Sequence, residues 1–428
     1  MKVLLLNQCF HPDVVATSQQ LTDLARGLQA RGHQVTVIVG RRGYDDPTQR
    51  FPSRERWHDI DIIRVPAISL GKASRWRRAL NFGSFLAACA ARLAVLPRQD
   101  VVVALTSPPL ISWLASLFIR LKGGRLVFWV MDLNPDEAIA AGWLRRDSLL
   151  ARLLESLLKS SMRHSERIIV LDRFVKERVR QKGIEETKIE IIPPWSHDQS
   201  VRFDSEGRQR FRRGAGLDDK FVVMYAGNHS PCHPLESLLG AAVKLRERED
   251  IAFCFVGGGS KLRDIMEFAG KHRLENIRYL PYQPLSELSG VLSAADLHVV
   301  ALGESFPGIL HPSKIYNILA VGSPFLYIGP AKSHMGDIID RLADSSLGYR
   351  AAHDDVEAVV SCILERSKQH SNADSRSETP SQVLANEFSQ GVLMPRFIDH
   401  VEEIGAKVQG SELSESARSS EFRVNEVD

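Results

Sequence analysis

The chain has 428 residues, of which 44% are hydrophobic and 25% charged, and its formal net charge is +3. This length exceeds what one ordinary hydrophobic core accommodates, so we expect two domains. The composition is that of a soluble globular protein. The net charge is too small to indicate a nucleic-acid partner by itself.

The beginning of the chain and its cysteines indicate a cytoplasmic protein. MKVLLLNQ carries an apolar stretch too short for a signal peptide, and it predicts a first β-strand from residue 2. The five cysteines form neither a CxxC motif nor a Cys/His cluster; they are Cys9, Cys89, Cys232, Cys254 and Cys362. This scatter suits a reducing compartment and argues against a structural zinc site.

A first series of strands and helices runs to about residue 195. The strand KVLLLN is followed by a helix whose residues Leu21, Leu24, Ala25 and Leu28 share one face, and then by the strand QVTVIV. Further apolar strands are DVVVAL, RLVFWVM, ERIIVL and IEII, the last ending at a double proline. Alternation of strands and helices predicts a parallel sheet.

A second series begins near Lys220. Its strands are FVVMYAG, IAFCFVGGG, NIRYLP, LHVVAL and PFLYIG, again with helices between them. We therefore expect two α/β domains, at 1–195 and 196–382. A final helix over 383–408 is expected to return to the first domain, and 409–428 is polar enough to be disordered.

Four loops of the second domain follow strands, where parallel sheets bind ligands. They are AGNHSPCH, GGGSK, PYQPLSE and GESFPGILHPSK. GGGSK lacks the spacing of a phosphate-binding GxxxxGK loop, and no GxGxxG follows the first strand, so a nicotinamide cofactor is not expected. Glycines after a strand are commonly turn residues, which makes each loop a weak signal alone.

The stretch ESFPGILHPSK places unusual residues at a predicted helix start. Gly308 lets the backbone approach a phosphate, and Ser313 and Lys314 begin the helix. A helix dipole disfavours a cation at this end, and a bound anion would offset that cost. The residues alone leave a phosphate role and a purely structural role for Lys314 equally open.

Taken together, five stretches in this order resemble a known enzyme family. They are NQCFHPDVVATSQQLTDLARGLQARGHQVTVIVG, WVMDLNPDEAIAAGWL, MYAGNHSPCHPLESLLGAA, FCFVGGGSKLRDI and HPSKIYNILAVGSPFLYIG. To about residue 405 the chain is similar to glycosyltransferase family 4, above all to enzymes of bacterial capsule, O-antigen and colanic-acid-type polysaccharides. The resemblance implies the GT-B fold, in which two Rossmann-like domains face each other across a cleft.

The resemblance also implies roles for individual residues. The loop from Asp13 to Ser18 would close over the transferred sugar, and Asp132 would lie beside that sugar. A helix-capping role for Asp132 is the alternative. We expect catalysis from Asp132, Lys314 and Glu304. We expect the donor to be bound by Ala16, Thr17, Gly227, Asn228, His233, Gly257, Tyr282, Gly308, Ser313 and Asn317.

The sequence departs from the family pattern at important positions. Family members usually carry an arginine and a lysine where this chain has Asn228 and His233. Their second glutamate corresponds to Asn317, whose amide could still hydrogen-bond a ribose hydroxyl, and Glu304 lies too far upstream to replace it. Ser313 and Lys314 are therefore expected to bind the diphosphate.

The segment from 74 to 98, SRWRRALNFGSFLAACAARLAVLPR, combines arginines with an apolar helix. Its length permits a membrane span, which Arg92 and the flanking strands oppose. A helix packed on the sheet is one alternative. An amphipathic face on anionic lipid is another, favoured by Trp76 and by Lys122 and Arg125 elsewhere in the domain.

The sequence therefore predicts a cytoplasmic, retaining glycosyltransferase, peripheral on the inner membrane. It would move a sugar from a nucleotide-sugar donor to a saccharide acceptor, polyprenyl-linked or other, in exopolysaccharide or lipopolysaccharide synthesis, without metal or cofactor. The alternatives are a non-catalytic nucleotide-sugar-binding subunit and a nucleotide-sugar 2-epimerase.

Overall fold

A computed structural model of the protein describes residues 1–43, 48–70, 75–197, 200–342, 346–370 and 381–424. The side chains of residues 75, 78, 370, 381, 382 and 409–424 are outside this description. The chain forms two compact units. The first comprises Met1–Pro193 and the chain from Met394 onward, and the second is Pro194–Leu393.

The first unit contains an eight-stranded sheet. Its strands are β1 (Lys2–Leu6), β2 (Gln34–Gly40), β3 (Arg54–Trp57), β4 (Ile60–Val65), β5 (Val101–Ala104), β6 (Arg125–Val130), β7 (Arg167–Val170) and β8 (Ile189–Ile191). They lie in the order β3-β4-β2-β1-β5-β6-β7-β8, and all pairs are parallel except β3 with β4. The chain reverses direction across the sheet between β1 and β5, which is where such sheets bind ligands.

Helices cover both faces of this sheet. They are α1 (Ala16–Ala30), α2 (Arg75–Val95), α3 (Ile111–Lys122), α4 (Asp136–Ala140), α5 (Leu149–His164) and α6 (Arg173–Gln181). The residues of α1 predicted to share an apolar face, Leu21, Leu24, Ala25 and Leu28, are all buried. On α2, Phe85, Cys89 and Leu93 enter a core with α3. Among the described residues, no helix is long and apolar enough to cross a bilayer.

The second unit contains a six-stranded parallel sheet. Its strands are β9 (Phe221–Asn228), β10 (Ile251–Gly258), β11 (Ile277–Leu280), β12 (Leu297–Ala301), β13 (Phe325–Ile328) and β14 (Gly348–Ala351), in the order β11-β10-β9-β12-β13-β14. Its helices are α7 (Ser205–Ala215), α8 (Glu236–Lys244), α9 (Leu262–His272), α10 (Leu288–Ser293), α11 (Lys314–Ala320), α12 (His334–Arg341), α13 (Val356–His370) and α14 (Ser381–Glu387). Here the chain reverses between β9 and β12.

The last helix corrects two expectations. α15 runs from Gln390 to Val424, so residues 409–424, which we expected to be disordered, continue a helix. Adding turns to an existing helix needs no new nucleus, and this segment contains several good helix formers. The expected single helix over 383–408 is also wrong, because α14 and α15 are separate and residues 383–393 belong to the second unit.

Three strands were missed by the sequence analysis. β3 and β4 form a hairpin whose turn residues, His58 and Asp59, both have positive φ angles of 47° and 58°. β3, with the sequence RERW, lacks the run of apolar residues by which a strand is predicted. It needs no such run because it is an edge strand and largely exposed. β14 is likewise short and only partly buried. The polar stretch 371–382 lies outside the described residues except for 381 and 382.

Candidate active site

In the second unit, the loops after β9 and β12 meet at the carboxyl edge of the sheet. The amide of Gly303 donates a hydrogen bond to the carbonyl of Cys232 over 2.9 Å, and the His233 Nδ1–H donates to the Ala301 carbonyl over 2.8 Å. This edge is the reversal point of the strand order. The loops that the sequence singled out are therefore brought together where open parallel sheets bind ligands.

Two glycines allow β9 and β10 to end side by side. Gly227 is paired with Gly257, and both have positive φ angles, of 132° and 124°. A Cβ on Gly257 would lie 2.2 Å from the Gly227 carbonyl oxygen. Any larger residue at 257 would push these backbones apart, so both a turn and a close approach require glycine here.

Lys314 brings a nitrogen to the same place from the start of α11. Its Nζ lies 3.6 Å from the ring centroid of Tyr225, and a Cβ on Gly227 would lie 3.1 Å from it. Within the described part of the chain this buried Nζ has no hydrogen-bond partner. Burial lowers the pKa of Lys314 from 10.5 to about 7. A buried amine of this kind is strongly stabilised by a bound anion.

Two histidines surround the lysine. Burial, and then the charge of Lys314, lowers the pKa of His233 to about 4. His229, which the sequence analysis did not single out, is completely buried and directs Nδ1 toward the Gly258 carbonyl at 3.2 Å. The same two causes lower its pKa. Its only sequence signal is its place between Asn228 and His233 in a predicted ligand loop.

Tyr282 forms one side of this region. Cβ atoms on Gly257 and Gly258 would lie 3.2 and 3.1 Å from its ring, yet the residue remains 48% exposed. One part of the ring therefore covers the glycine backbone while another part faces solvent. An exposed aromatic ring supported in this way can stack on a planar ligand group.

Other predicted residues of the second unit take different places. Asn317 accepts a hydrogen bond on Oδ1 from the His197 amide over 3.1 Å, which leaves its Nδ2 and one lone pair of Oδ1 for a ligand. Glu304 is exposed in the loop after β12, and Gly308 is buried there with φ of 72°. Ser313 is partly buried immediately before Lys314.

In the first unit, Asp132 follows β6 near the reversal point of that sheet. Its amide donates to the Thr106 Oγ1 over 3.3 Å, and the Gln8 amide donates to the Ser107 carbonyl over 2.7 Å. Burial, followed by the charge of Glu137, raises the pKa of Asp132 from 3.8 to about 7. The residue at the N-cap position of α4 is Pro135, and no side-chain hydrogen bond caps this helix. Asp132 therefore does not have the capping role that we considered as an alternative.

Glu137 is a second carboxylic acid that the sequence analysis missed. It accepts a hydrogen bond from the Asn134 Nδ2 over 3.0 Å, and burial raises its pKa. Ala16 and Thr17 begin α1 in this unit, with the Thr17 Oγ1 3.3 Å from the Cys9 sulfur. Of the predicted donor residues, these two belong to the first unit and the others to the second.

Residues 17–196, which span most of the first unit, match the family model for Glycosyltransferase Family 4. Two curated relatives match over much of the chain. WbjE of Pseudomonas aeruginosa, assigned as a glycosyltransferase, is 26% identical over 300 residues, or 70% of this chain and 74% of WbjE. WcaI of Escherichia coli K12, assigned as a colanic acid biosynthesis glycosyl transferase, is 24% identical over 379 residues, or 85% and 92%. Over residues 17–196 the chain is thus similar to glycosyltransferase family 4.

Comparison with solved structures shows that the protein has the GT-B fold. Sucrose-phosphate synthase from Thermosynechococcus elongatus has a TM-score of 0.73 at 15% identity, covering 95% of this chain and all of that one. HepE from Anabaena, in complex with UDP and glucose, has a TM-score of 0.70 at 14% identity, and the match covers 94% of this chain and 100% of HepE. WaaG, a glycosyltransferase involved in lipopolysaccharide biosynthesis, has a TM-score of 0.62 at 17% identity, and the match covers 90% of this chain and 99% of WaaG.

The geometry also bears on the departures from the usual family 4 pattern. Asn228 and His233 stand where an arginine and a lysine are usual; Asn228 ends β9, and His233 lies in the loop that follows. Lys314 comes from a different element, α11, and reaches the end of β9 at Gly227. A cationic nitrogen is thus present beside that loop although the loop itself carries no lysine or arginine.

Proposed function

We propose that this glycosyltransferase moves a sugar, with retention of configuration, from a nucleotide-sugar donor to a lipid-linked saccharide acceptor in envelope polysaccharide synthesis. The observation that supports donor binding most directly is the buried, unpartnered Nζ of Lys314 beside Gly227. A diphosphate would supply the negative counter-charge that this nitrogen lacks. HepE, which shares the fold, was solved with UDP and with UDP-glucose.

Seven of the candidate residues have a part in this proposal. Lys314 stabilises the leaving diphosphate, Ser313 binds one of its oxygens, and Tyr282 stacks on the base. Asp132 orients the sugar, and its raised pKa suits hydrogen bonding to a hydroxyl. His233 and the backbone of Gly227 and Gly257 complete the donor contacts.

The first test is the affinity for a nucleoside diphosphate. Lys314→Ala should weaken binding by about 1.5–3 kcal/mol, the range for a hydrogen bond to a charged group. Isothermal titration calorimetry measures this, with Lys244→Ala as the control, because Lys244 pairs with Glu357 elsewhere in the unit. Unchanged affinity in Lys314→Ala would leave this lysine a structural residue.

The reaction itself is tested by mass spectrometry of products from a panel of nucleotide sugars, with and without a polyprenyl-linked acceptor. A transferase forms product with acceptor present. A 2-epimerase changes its donor in the absence of acceptor, and a binding subunit does neither. The missing arginine and lysine after β9 are the feature that favours the binding subunit.

We also propose that transfer needs no metal ion, because a protein cation is available to neutralise the leaving group. Activity should then persist in excess chelator. Loss of activity that magnesium or manganese restores would contradict this proposal.

We also propose that the enzyme is cytoplasmic. The five cysteines are buried and free, which supports this location.

A lipid-linked acceptor would require the enzyme to work at the inner face of the membrane. We propose peripheral attachment through the start of α2. There Trp76 is 59% exposed and the Arg77 guanidinium carbon lies 5.4 Å from its ring centroid. The side chains of the two other arginines of this segment's first turn, Arg75 and Arg78, lie outside the described residues.

A further inference from the structure

Three helices of the first unit form one layer whose members end at the same edge of the sheet. α3 contacts both α2 and α5. α2 ends shortly before β5 begins, α3 before β6, and α5 before β7. All three helices therefore run from the carboxyl edge of the parallel sheet toward its amino edge.

The first turns of α5 expose an unusual number of leucines. Leu149 is 82% exposed, Leu150 55% and Leu153 56%. The Ser161 hydroxyl, near the end of α5, lies 3.1 Å from that of Ser112 at the start of α3. The first turns of α5 therefore extend past the beginning of α3. As a result, α3 does not cover the three exposed leucines.

Positive charge surrounds these leucines. Arg145, Arg146 and Arg152 are exposed just before and within the same turns. The nearby acids are already paired: Asp147 with Arg145 at 2.8 Å, and Glu155 with Lys182 at 3.0 Å. Arg146 and Arg152 form no ion pair with any described residue, so they can bind an external anion.

The beginning of α2 repeats this combination at the same edge. Trp76 and Leu80 are 59% and 48% exposed, with the exposed Arg77 between them. The preceding loop is held against α2, because the Ile68 amide donates to the Ser84 Oγ over 2.9 Å. Ile68 itself is 51% exposed.

We propose that the first turns of α5 and of α2 form one surface that rests on an anionic phospholipid bilayer. This rests on the membrane attachment proposed above and adds a second, separate element to it. Exposed leucine and tryptophan enter the interface while arginines bind headgroup phosphates. A lipid surface fits better than a protein partner, because the centres of protein interfaces are depleted in charged residues and here arginines alternate with the apolar ones.

Vesicle binding of the full chain tests this surface. The vesicles contain phosphatidylcholine and phosphatidylglycerol in equal parts, or phosphatidylcholine alone. Leu149→Ser/Leu153→Ser should weaken binding at least about tenfold, since each leucine loses apolar burial. Arg146→Gln/Arg152→Gln should weaken it about thirtyfold at low salt and less at high salt.

The opposite end of the same helix layer provides matched controls. Leu121 is 74% exposed near the end of α3, between the exposed Arg120 and Lys122. Leu121→Ser and Arg120→Gln/Lys122→Gln should bind vesicles as the wild type does. Thermal melting and nucleoside diphosphate affinity of every variant show that folding and the donor site are intact.

Three results would overturn the proposal. Normal binding by both α5 variants, with loss in Trp76→Ala/Leu80→Ser, would limit the surface to α2. Absence of wild-type binding to either vesicle would remove membrane attachment altogether, while the product assay with a soluble acceptor would still decide the transferase proposal. Light scattering that shows a dimer abolished by Leu149→Ser/Leu153→Ser, without vesicle binding, would assign the leucines to a second copy of the chain.

Discussion

Lys314 and Asp132 are ionisable residues whose pKa values burial moves toward neutrality from opposite directions. The lysine falls from 10.5 to about 7, and the aspartate rises from 3.8 to about 7. Both residues are partly buried, although the Lys314 Nζ itself is buried. Near neutral pH both groups exist in two protonation states, which makes their charge easy to alter by binding.

Donor affinity should therefore depend on pH. Lys314 in the empty site loses its proton as the pH rises through about 7, whereas a bound diphosphate holds that proton. Above this pH, binding takes up a proton and affinity falls. Lys314→Arg should show a flatter profile because a guanidinium remains charged. Calorimetry with a nucleoside diphosphate, in buffers of different ionisation enthalpy, checks both points; a flat wild-type profile would contradict them.

Asp132 should make the protein less stable as the pH rises. Its folded-state pKa lies above its unfolded value, so the folded state binds the extra proton and stability is lost between about pH 4 and pH 7. Asp132→Asn should remove this loss. Its stabilisation relative to wild type should be on the order of 2 kcal/mol larger at pH 8 than at pH 5. Denaturant unfolding at the two pH values measures it, and an equal difference at both would be evidence against the shift.

At the scale of single elements, α15 is held on the first unit by packing and by ion pairs. The Phe397 ring lies 4.5 Å from that of Trp129, and both residues are fully buried. Arg31 pairs with Asp399 at 2.6 Å and with Glu402 at 2.8 Å. Gly27 allows the contact, because a Cβ there would lie 2.7 Å from the Ile398 Cδ1.

The two kinds of contact should differ in their effect on stability. Phe397→Ala should lower the free energy of unfolding by about 3–5 kcal/mol, because it leaves a cavity beside Trp129. Arg31→Ala should cost at most about 1 kcal/mol, since its ion pairs are partly exposed. Urea unfolding of both variants makes the comparison. Similar losses would mean that the ion pairs, rather than the aromatic contact, hold α15.

Local sequence pattern predicted the elements better than their partners. The spacing of Leu21, Leu24 and Leu28 carries the period of α1, so its buried face could be read directly. The sequence around Lys314 does not predict that its amine contacts the Tyr225 ring. That contact depends on the reversal of strand order between β9 and β12. The role of His229 was hidden for the same reason.

Asn317 illustrates a second limit. Its position suggested a ribose contact, but its side-chain oxygen is used by the backbone at His197. That segment follows the double proline, far away in sequence. Contacts of this kind depend on tertiary structure, which neither periodicity nor composition encodes.

At the scale of the whole molecule, the first unit needs chain from both sides of the second. α15 buries Phe397, Ile398, Val401, Ile404 and Val408. At about 1.5–3 kcal/mol for each large apolar side chain, their burial is comparable to the total stability of a domain.

A variant that ends at Leu393 should therefore lose the first unit selectively. Amide hydrogen exchange measured by mass spectrometry should show β1, β5 and β6 losing protection, while β9, β10 and β12 keep theirs. The full-length chain is the reference. Unaltered protection in the first unit would show that α15 merely covers a core that is stable without it.

The chain returns to the first unit at Met394, and this determines the sequence in which the two units can fold during protein synthesis. On the ribosome, strands β1 to β8 emerge first, but the helix that covers Trp129 emerges only after the entire second unit has been made. The second unit is contiguous and can fold as soon as it leaves the exit tunnel. The nascent first unit meanwhile exposes an uncovered apolar face throughout that interval, which makes it the part of the newborn chain on which a chaperone would act.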